Sequence, residues 1–212
     1  MDPDDRHHLE RVLRLRPGEA VTASDGAGRW RLCRFRPEGR LEPDGPIVAE
    51  ARPAPAIGVA FALTKGERPE WAVQKLAEAG VDRIVPMVSQ RSVVRWDGEK
   101  GARQLARFRA VARGAAMQSR RVWLPEVSDL QTFAEAASRP GAALAQMDGA
   151  PPTLATPTIL VGPEGGWDPA ELDAGLPRIA LAATVLRAET AALAAGILLG
   201  ALRAGVVQAA QP

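Results

Sequence analysis

Cysteine is almost absent from this chain of 212 residues, which carries Cys33 alone. An internal disulfide is therefore excluded, and the composition fits a reducing compartment. Histidine is nearly as scarce, with His7 and His8 the only two. No Cys/His spacing suits zinc or haem, so no metal is expected, and two histidines in a polar N-terminal stretch argue against a Ser-His-Asp hydrolase. That stretch, MDPDDRHHLE, lacks the apolar centre of a secretion signal, which predicts a cytoplasmic location. The thirteen uncharged residues between Glu189 and Arg203 are too few and too rich in alanine to cross a bilayer, so no membrane is expected as a partner. Two phosphate-binding signatures are missing as well. There is no Gly-x-Gly-x-x-Gly after a first strand and no Gly-Lys-Ser/Thr closing a glycine loop, which excludes a dinucleotide fold of the usual kind and a P-loop.

Charge is plentiful but unevenly placed. Residues 65–121 hold 13 basic against 6 acidic side chains, whereas residues 122–212 hold 4 against 9. A basic stretch of this kind is a candidate surface for a polyanion. Residues 1 to about 50 alternate short apolar runs, among them Val12–Leu15, Val21-Thr22 and Trp30–Phe35, with Pro-Gly and Asp-Gly turn signals. This pattern predicts a small antiparallel β domain. Arg29, Arg31, Arg34 and Arg36 lie in and around its best strand, where a solvated face is the default and phosphate contact the alternative. The Ala/Pro segment 49–56 reads as a linker, which gives domains at 1–54 and 55–212.

From Ile57 the period changes. A continuous apolar run from Ile57 to Leu63, a helical pattern from Pro69 to Ala79 stopped by Gly80, and a second buried run from Arg83 to Val88 form a βαβ unit. The larger domain is therefore α/β with a parallel sheet. Glu99 to Gln118 predicts a long helix with Leu105, Phe108, Ala112 and Ala116 in one narrow stripe. Ser128-x-x-Gln131 resembles a capping box opening a helix to about Ser138, and Ala142 to Gln146 predicts a strand.

The most unusual chemistry is near the C-terminus. Predicted strands at Thr158–Val161 and Arg178–Ala182 each end in an odd loop. The first, Gly162-Pro163-Glu164-Gly165-Gly166, leaves the backbone bare enough for a flat ligand to approach its N–H and C=O groups. Asp168, Pro169 and Glu171 then spell an N-cap, a first-turn proline and a capping-box acid. The second loop sets Arg187 and Glu189 into an apolar context, and the uncharged helix behind them predicts burial in a core or an interface. From residues alone, these features support a ligand-binding α/β enzyme.

The paired motifs LVGPEGGWxxxEL and VLRAETA resemble the signature of the small-subunit (16S) ribosomal RNA uridine-N3 methyltransferases, in the SPOUT class of trefoil-knotted S-adenosylmethionine enzymes. TKGERPEWAVQKLAEAGVDRIVPMVSQRSVV and MQSRRVWLPEV are similar to the same family in order and spacing. The resemblance implies a PUA-like β-barrel domain followed by a knotted α/β domain, S-adenosyl-L-methionine as cofactor, small-subunit ribosomal RNA or the assembled subunit as partner, and a homodimer. By motif, Gly162, Pro163 and Gly166 would wall the cofactor, Leu181 and Leu186 would enclose its adenine, and Leu144 and Gln146 would end the preceding strand beside it. Arg187 would stabilise the uracil anion, and Glu189 would orient Arg187 or accept the proton. If the two instead pair with each other, they are a structural ion pair pinning the loop. Arg14, Lys65, Arg91 and Arg121 are expected at the RNA. Ala182, Thr184 and Met117 depart from the family pattern, which leaves two rivals: a non-catalytic RNA-binding module of the same fold, and a methyltransferase acting on transfer RNA.

Overall fold

The computed structural model describes residues 3–94, 96 and 98–208. The chain divides into two compact units, Met1–Arg52 and Pro53–Pro212.

In the first unit a short helix, α1 (Pro3–His7), runs into a π-helical turn at His8–Val12. The apolar run at Val12–Leu15 is therefore not a strand; Leu15 N–H closes back on the Leu9 carbonyl, 3.0 Å away, and Leu9 is buried. An antiparallel sheet follows, with β1 (Ala20–Ser24), β2 (Arg29–Arg36), β3 (Arg40–Pro43) and β4 (Val48–Ala49). Strand β2 pairs with all three others, and the sheet is open among the described residues. The turn from β1 to β2 is set by Asp25, whose carboxylate accepts the N–H groups of Ala27 and Arg29 and is held below its ordinary pKa mainly by these backbone donors. Cys33 and Phe35 point to the covered side of β2, Arg31 shares their face and is half-buried, and Arg34 and Arg36 face outward. Most of those arginines are already engaged. Arg31 donates to the Gly45 carbonyl, Arg34 to Asp44 and Arg36 to Glu42.

In the second unit the sheet order is β11-β9-β10-β5-β6-β7, every ladder parallel, with the short β8 also beside β6. The strands are β5 (Gly58–Ala62), β6 (Arg83–Val88), β7 (Glu126–Val127), β8 (Gln131–Thr132), β9 (Ala142–Ala150), β10 (Thr158–Val161) and β11 (Arg178–Ile179). Helices α2 (Arg68–Glu78), α3 (Gly98–Gln118), α4 (Phe133–Ala137), α5 (Pro169–Leu172) and α6 (Ala188–Arg203) complete it. Strand β5 is buried throughout because both faces are covered, as continuous apolar strands in parallel sheets require. Val59 and Phe61 pack with residues of α2, α3 and α6, whereas Ala60 and Ala62 pack on the other face with Met87, Leu160 and Trp167.

Two expectations shift. Ser128 does not cap a helix; its hydroxyl bonds the Asp129 carbonyl, and the capping box is built four residues later by Thr132 and Glu135, which open α4. The Glu135 carboxyl is held low, first by the Thr132 N–H. The strand expected at 178–182 is only Arg178–Ile179, in a ladder whose register shifts between those two residues.

Helix α6 lies very close to α2, and its glycines are the reason. A Cβ on Gly196 would come within 2.8 Å of Leu76 Cδ2, and one on Gly200 within 2.9 Å of the Ala79 carbonyl. Its C-terminal end is fastened by charge. Arg203 donates to Asp82 and to the carbonyls of Pro55 and Gly80, and Asp82 also accepts the Ile57 N–H at 2.9 Å. Arg121 approaches the same carboxylate at 3.4 Å.

Candidate active site

A cavity of about 310 Å³ opens at the carboxyl end of β10, beside the middle of β9. The carboxyl ends of strands are where ligands bind in open parallel sheets, because loops diverge there and leave a crevice. Its walls come from Ala145, Gln146 and Met147 in the middle of β9, from the glycine loop after β10, and from the segment 181–186 leading into α6. The first turn of α6 contributes Ala188 and Ala191.

Local chemistry holds the glycine loop in shape. Gly166 has φ +71°, donates its N–H to the Pro163 carbonyl at 2.9 Å and leaves open space where a Cβ would stand. Gly162 is demanded by packing, since its Cβ would lie 3.0 Å from the Trp167 ring. Trp167 is buried, donates Nε1–H to the Ala145 carbonyl at 3.1 Å and meets Phe133 edge-on. It thereby ties the glycine loop to the middle of β9. Asp168 and Glu171 form the capping box that opens α5, and Glu171 also accepts the Gln90 N–H at 2.8 Å, bringing the loop after β6 to the same place.

The structure brings Gln146, Gly162, Pro163, Gly166, Leu181 and Leu186 together around this one cavity. Leu144 is not among them. It is fully buried in the core cluster with Leu160 and Trp167, because both faces of the sheet are covered here and the strand alternation turns it to the side opposite Ala143. Residues that motif reasoning missed include Trp167, Val161 and Met147. Trp167 and Val161 were legible as parts of the LVGPEGGW string; Met147 carries no local signal and depends on how β9 and β10 align. Ala182 and Thr184, departures from the family pattern, both line the cavity, whereas Met117 is an exposed residue of α3.

Arg187 is the N-cap of α6, eight residues beyond β11 rather than at a strand end. Its carbonyl accepts the Ala191 N–H at 2.8 Å, while its side chain is exposed and among the described residues makes no hydrogen bond or ion pair. The alternative reading, a structural pair with Glu189, is thus not formed. Glu189 faces Arg68 instead, with Oε1 3.7 Å from the guanidinium, while its buried Oε2 has no partner. Arg68, the first residue of α2, also bonds Glu164 of the glycine loop at 3.0 Å. Sequence reasoning did not single out Arg68, since its partners lie about a hundred residues away.

The four expected RNA-contacting residues separate. Arg14, with φ +52°, and Lys65 are exposed, each in its own unit. Arg91 is exposed but braces the glycine loop, donating to the Gly165 carbonyl at 3.1 Å. Arg121 is excluded from that role. Its guanidinium is turned inward onto the carbonyls of Ala77 and Val81 and onto Asp82, and burial lowers its pKa against the pull of that carboxylate. On α3, Arg103, Arg107 and Arg109 lean on Glu99, Glu70 and Asp129, which tempers the basic face. Among the described residues no group of acids, histidines and cysteines is arranged to hold a metal, and no helix is long and apolar enough to cross a membrane.

Residues 51–200 match the RNA methyltransferase domain family, and residues 2–41 match the RNA methyltransferase PUA domain family. The chain is 35% identical to ribosomal RNA small subunit methyltransferase E of Mycobacterium bovis, over 92% of this chain and 83% of that one. It is 27% identical to the protein of the same name from Bacillus subtilis, over 88% and 83%. Among solved structures, ribosomal RNA small subunit methyltransferase E from Neisseria gonorrhoeae bound to S-adenosyl methionine superposes with a TM-score of 0.76 at 30% identity, covering 95% of this chain and 90% of that one. A putative methyltransferase from Legionella pneumophila, also with S-adenosylmethionine bound, gives 0.80 at 25% identity over 95% and 90%.

Proposed function

Because this chain belongs to the RNA methyltransferase family of the small-subunit methyltransferase E type, we propose that it transfers a methyl group from S-adenosyl-L-methionine to N3 of a uridine in small-subunit ribosomal RNA. The observation that carries this reading is the single cavity walled by both signature loops. Its chemistry suits the cofactor. Gly166 offers bare backbone with open space beside it, while Leu181, Leu186 and Val161 supply an apolar wall for a flat purine. Gln146 and the carbonyls and N–H groups of the glycine loop would hold the polar parts. When bound, the cofactor supplies a methyl carbon already activated by its sulfonium.

The chain's own residues must then deal with the imide proton. N3 of uracil is weakly acidic, so its lone pair becomes available only as the proton leaves; the pair then bonds the methyl carbon while the carbon–sulfur electrons remain on sulfur. Glu189, with a buried carboxylate oxygen that makes no hydrogen bond among the described residues, is the proposed proton acceptor. The guanidinium of Arg187, free of any acid among the described residues, is the proposed donor to the uracil carbonyl on which charge develops. The trefoil-knotted passage of α6 and a homodimer belong to the same proposal, as do RNA contacts by Arg14 and Lys65.

Methyl transfer from labelled cofactor to small-subunit particles tests the reading, with bulk transfer RNA assayed in parallel. Label is expected in the small-subunit RNA. Label confined to transfer RNA, or absent from both, would contradict it.

A further inference from the structure

Four of the five residues of the glycine loop, Gly162, Pro163, Glu164 and Gly166, line the cavity, and the fifth, Gly165, does not. The Gly165 carbonyl accepts Nη1–H of Arg91, from the loop after β6, at 3.1 Å. Nε of the same guanidinium lies 3.7 Å from the carboxylate of Asp168, the cap of α5. Arg91 itself does not line the cavity. We propose that Arg91 is a positioning residue for the cofactor: from outside the cavity it holds the glycine loop in the shape that accepts S-adenosyl-L-methionine, so its guanidinium is committed to the protein rather than to RNA. The proposal rests on the function given above.

Three observations support it. First, the loop needs a brace. With three glycines in five residues it has much conformational freedom to lose, so a cofactor that had to order it would bind more weakly than one meeting a loop already set. The loop closes on itself through the Gly166 N–H and the Pro163 carbonyl, and Gly165 lies outside that contact, where Arg91 takes hold. Second, the turn that carries Arg91 is itself locked. The Ser92 N–H bonds the Ser89 carbonyl at 3.0 Å, the Ser89 N–H bonds Ser92 Oγ at 3.0 Å, and the two hydroxyls lie 3.2 Å apart. Both serines are buried, which shields these bonds from competing water. Between them Gln90 donates its N–H to Glu171, the buried capping acid of α5, at 2.8 Å. The turn therefore grips the glycine loop and the helix after it at two successive residues. Third, the positive charge of Arg91 is offset by Asp168, which weakens its pull on a phosphate.

Calorimetric titration of the full chain with S-adenosyl-L-methionine, for the wild type, Arg91→Ala and Arg91→Lys, tests the assignment beside thermal melts and steady-state transfer to small-subunit particles. Arg91→Ala is expected to raise the cofactor Kd about five- to twentyfold, the loss of one charge-assisted hydrogen bond discounted for a half-exposed site. Arg91→Lys, with a single point donor in place of the planar fork, should lie between the two. At saturating cofactor, kcat and the KM for the particle should stay within about threefold of the wild type, because the loop regains its shape once the cofactor is bound. A wild-type cofactor Kd in Arg91→Ala would overturn the proposal. If the melting temperature then falls, the contact is merely structural; if the KM for the particle rises and its salt dependence flattens, Arg91 is a phosphate ligand instead. Failure of the wild type to bind the cofactor would overturn the function on which the inference stands.

Discussion

At the scale of single residues, the site turns on two neighbours in sequence that the fold sends to different tasks. Arg187 stands at the N-cap of α6 with no acid beside it among the described residues, and half-buried Glu189, two residues later, faces Arg68. If Arg187 stabilises the uracil anion, Arg187→Ala should slow single-turnover methyl transfer by roughly a hundred- to a thousandfold, the loss seen when one donor to a developing oxyanion is removed. Its melting temperature should hardly move, because nothing in the chain depends on it. Glu189→Gln should also slow transfer, and near-normal rates in both variants would remove the pair from the chemistry. The glycine loop was legible because bare backbone and capping chemistry are local properties of sequence: Asp168 and Glu171 cap α5 as their spacing predicts. Arg68 and Leu144 were not. The partners of Arg68 arrive from residues 164 and 189, and Leu144 is buried because other elements cover both faces of β9 at that point.

At the scale of elements, α6 explains its own composition. Its alanines and glycines allow close approach to α2, and an ion cluster fixes its last turn. Asp82, 2% exposed, is the only acid in that cluster and serves both Arg121 and Arg203. Asp82→Asn would leave two inward-facing guanidiniums without a counter-charge, at a cost of about 3–5 kcal/mol. For a domain of this size that corresponds to a fall in Tm of roughly 6–20 °C, to be read by calorimetry. A fall of only a degree or two would mean that the surrounding carbonyls suffice. This cluster also shows why a charge-count reading misplaces Arg121: a basic residue within a basic stretch is indistinguishable in sequence from one committed to a buried acid 39 residues away.

At the scale of the whole molecule, the change of hydrophobic period near residue 57 announced a parallel α/β unit after a small β unit, and both are present. The start of the first unit differs from its sequence pattern because Val12–Leu15 is apolar enough for a strand, while a helical turn ends at Val12 and the chain then bends through Arg14 at φ +52°. If the chain pairs as proposed, the face of α6 that the fold leaves uncovered is the expected interface. Ala195, fully buried within the chain, belongs to its own core, whereas Ile197 is 51% exposed on the outer face. Ile197→Glu should therefore convert a dimer to a folded monomer in light scattering, and a wild-type monomer at micromolar concentration would end the dimer proposal. The central claim, that this chain places a methyl group on N3 of a uridine in small-subunit ribosomal RNA, is tested most directly by mass-spectrometric mapping of that RNA from cells with and without the chain. The account predicts one uridine that carries an N3-methyl group only when the chain is present; identical maps, or a chain-dependent methyl group on any other atom, would contradict it.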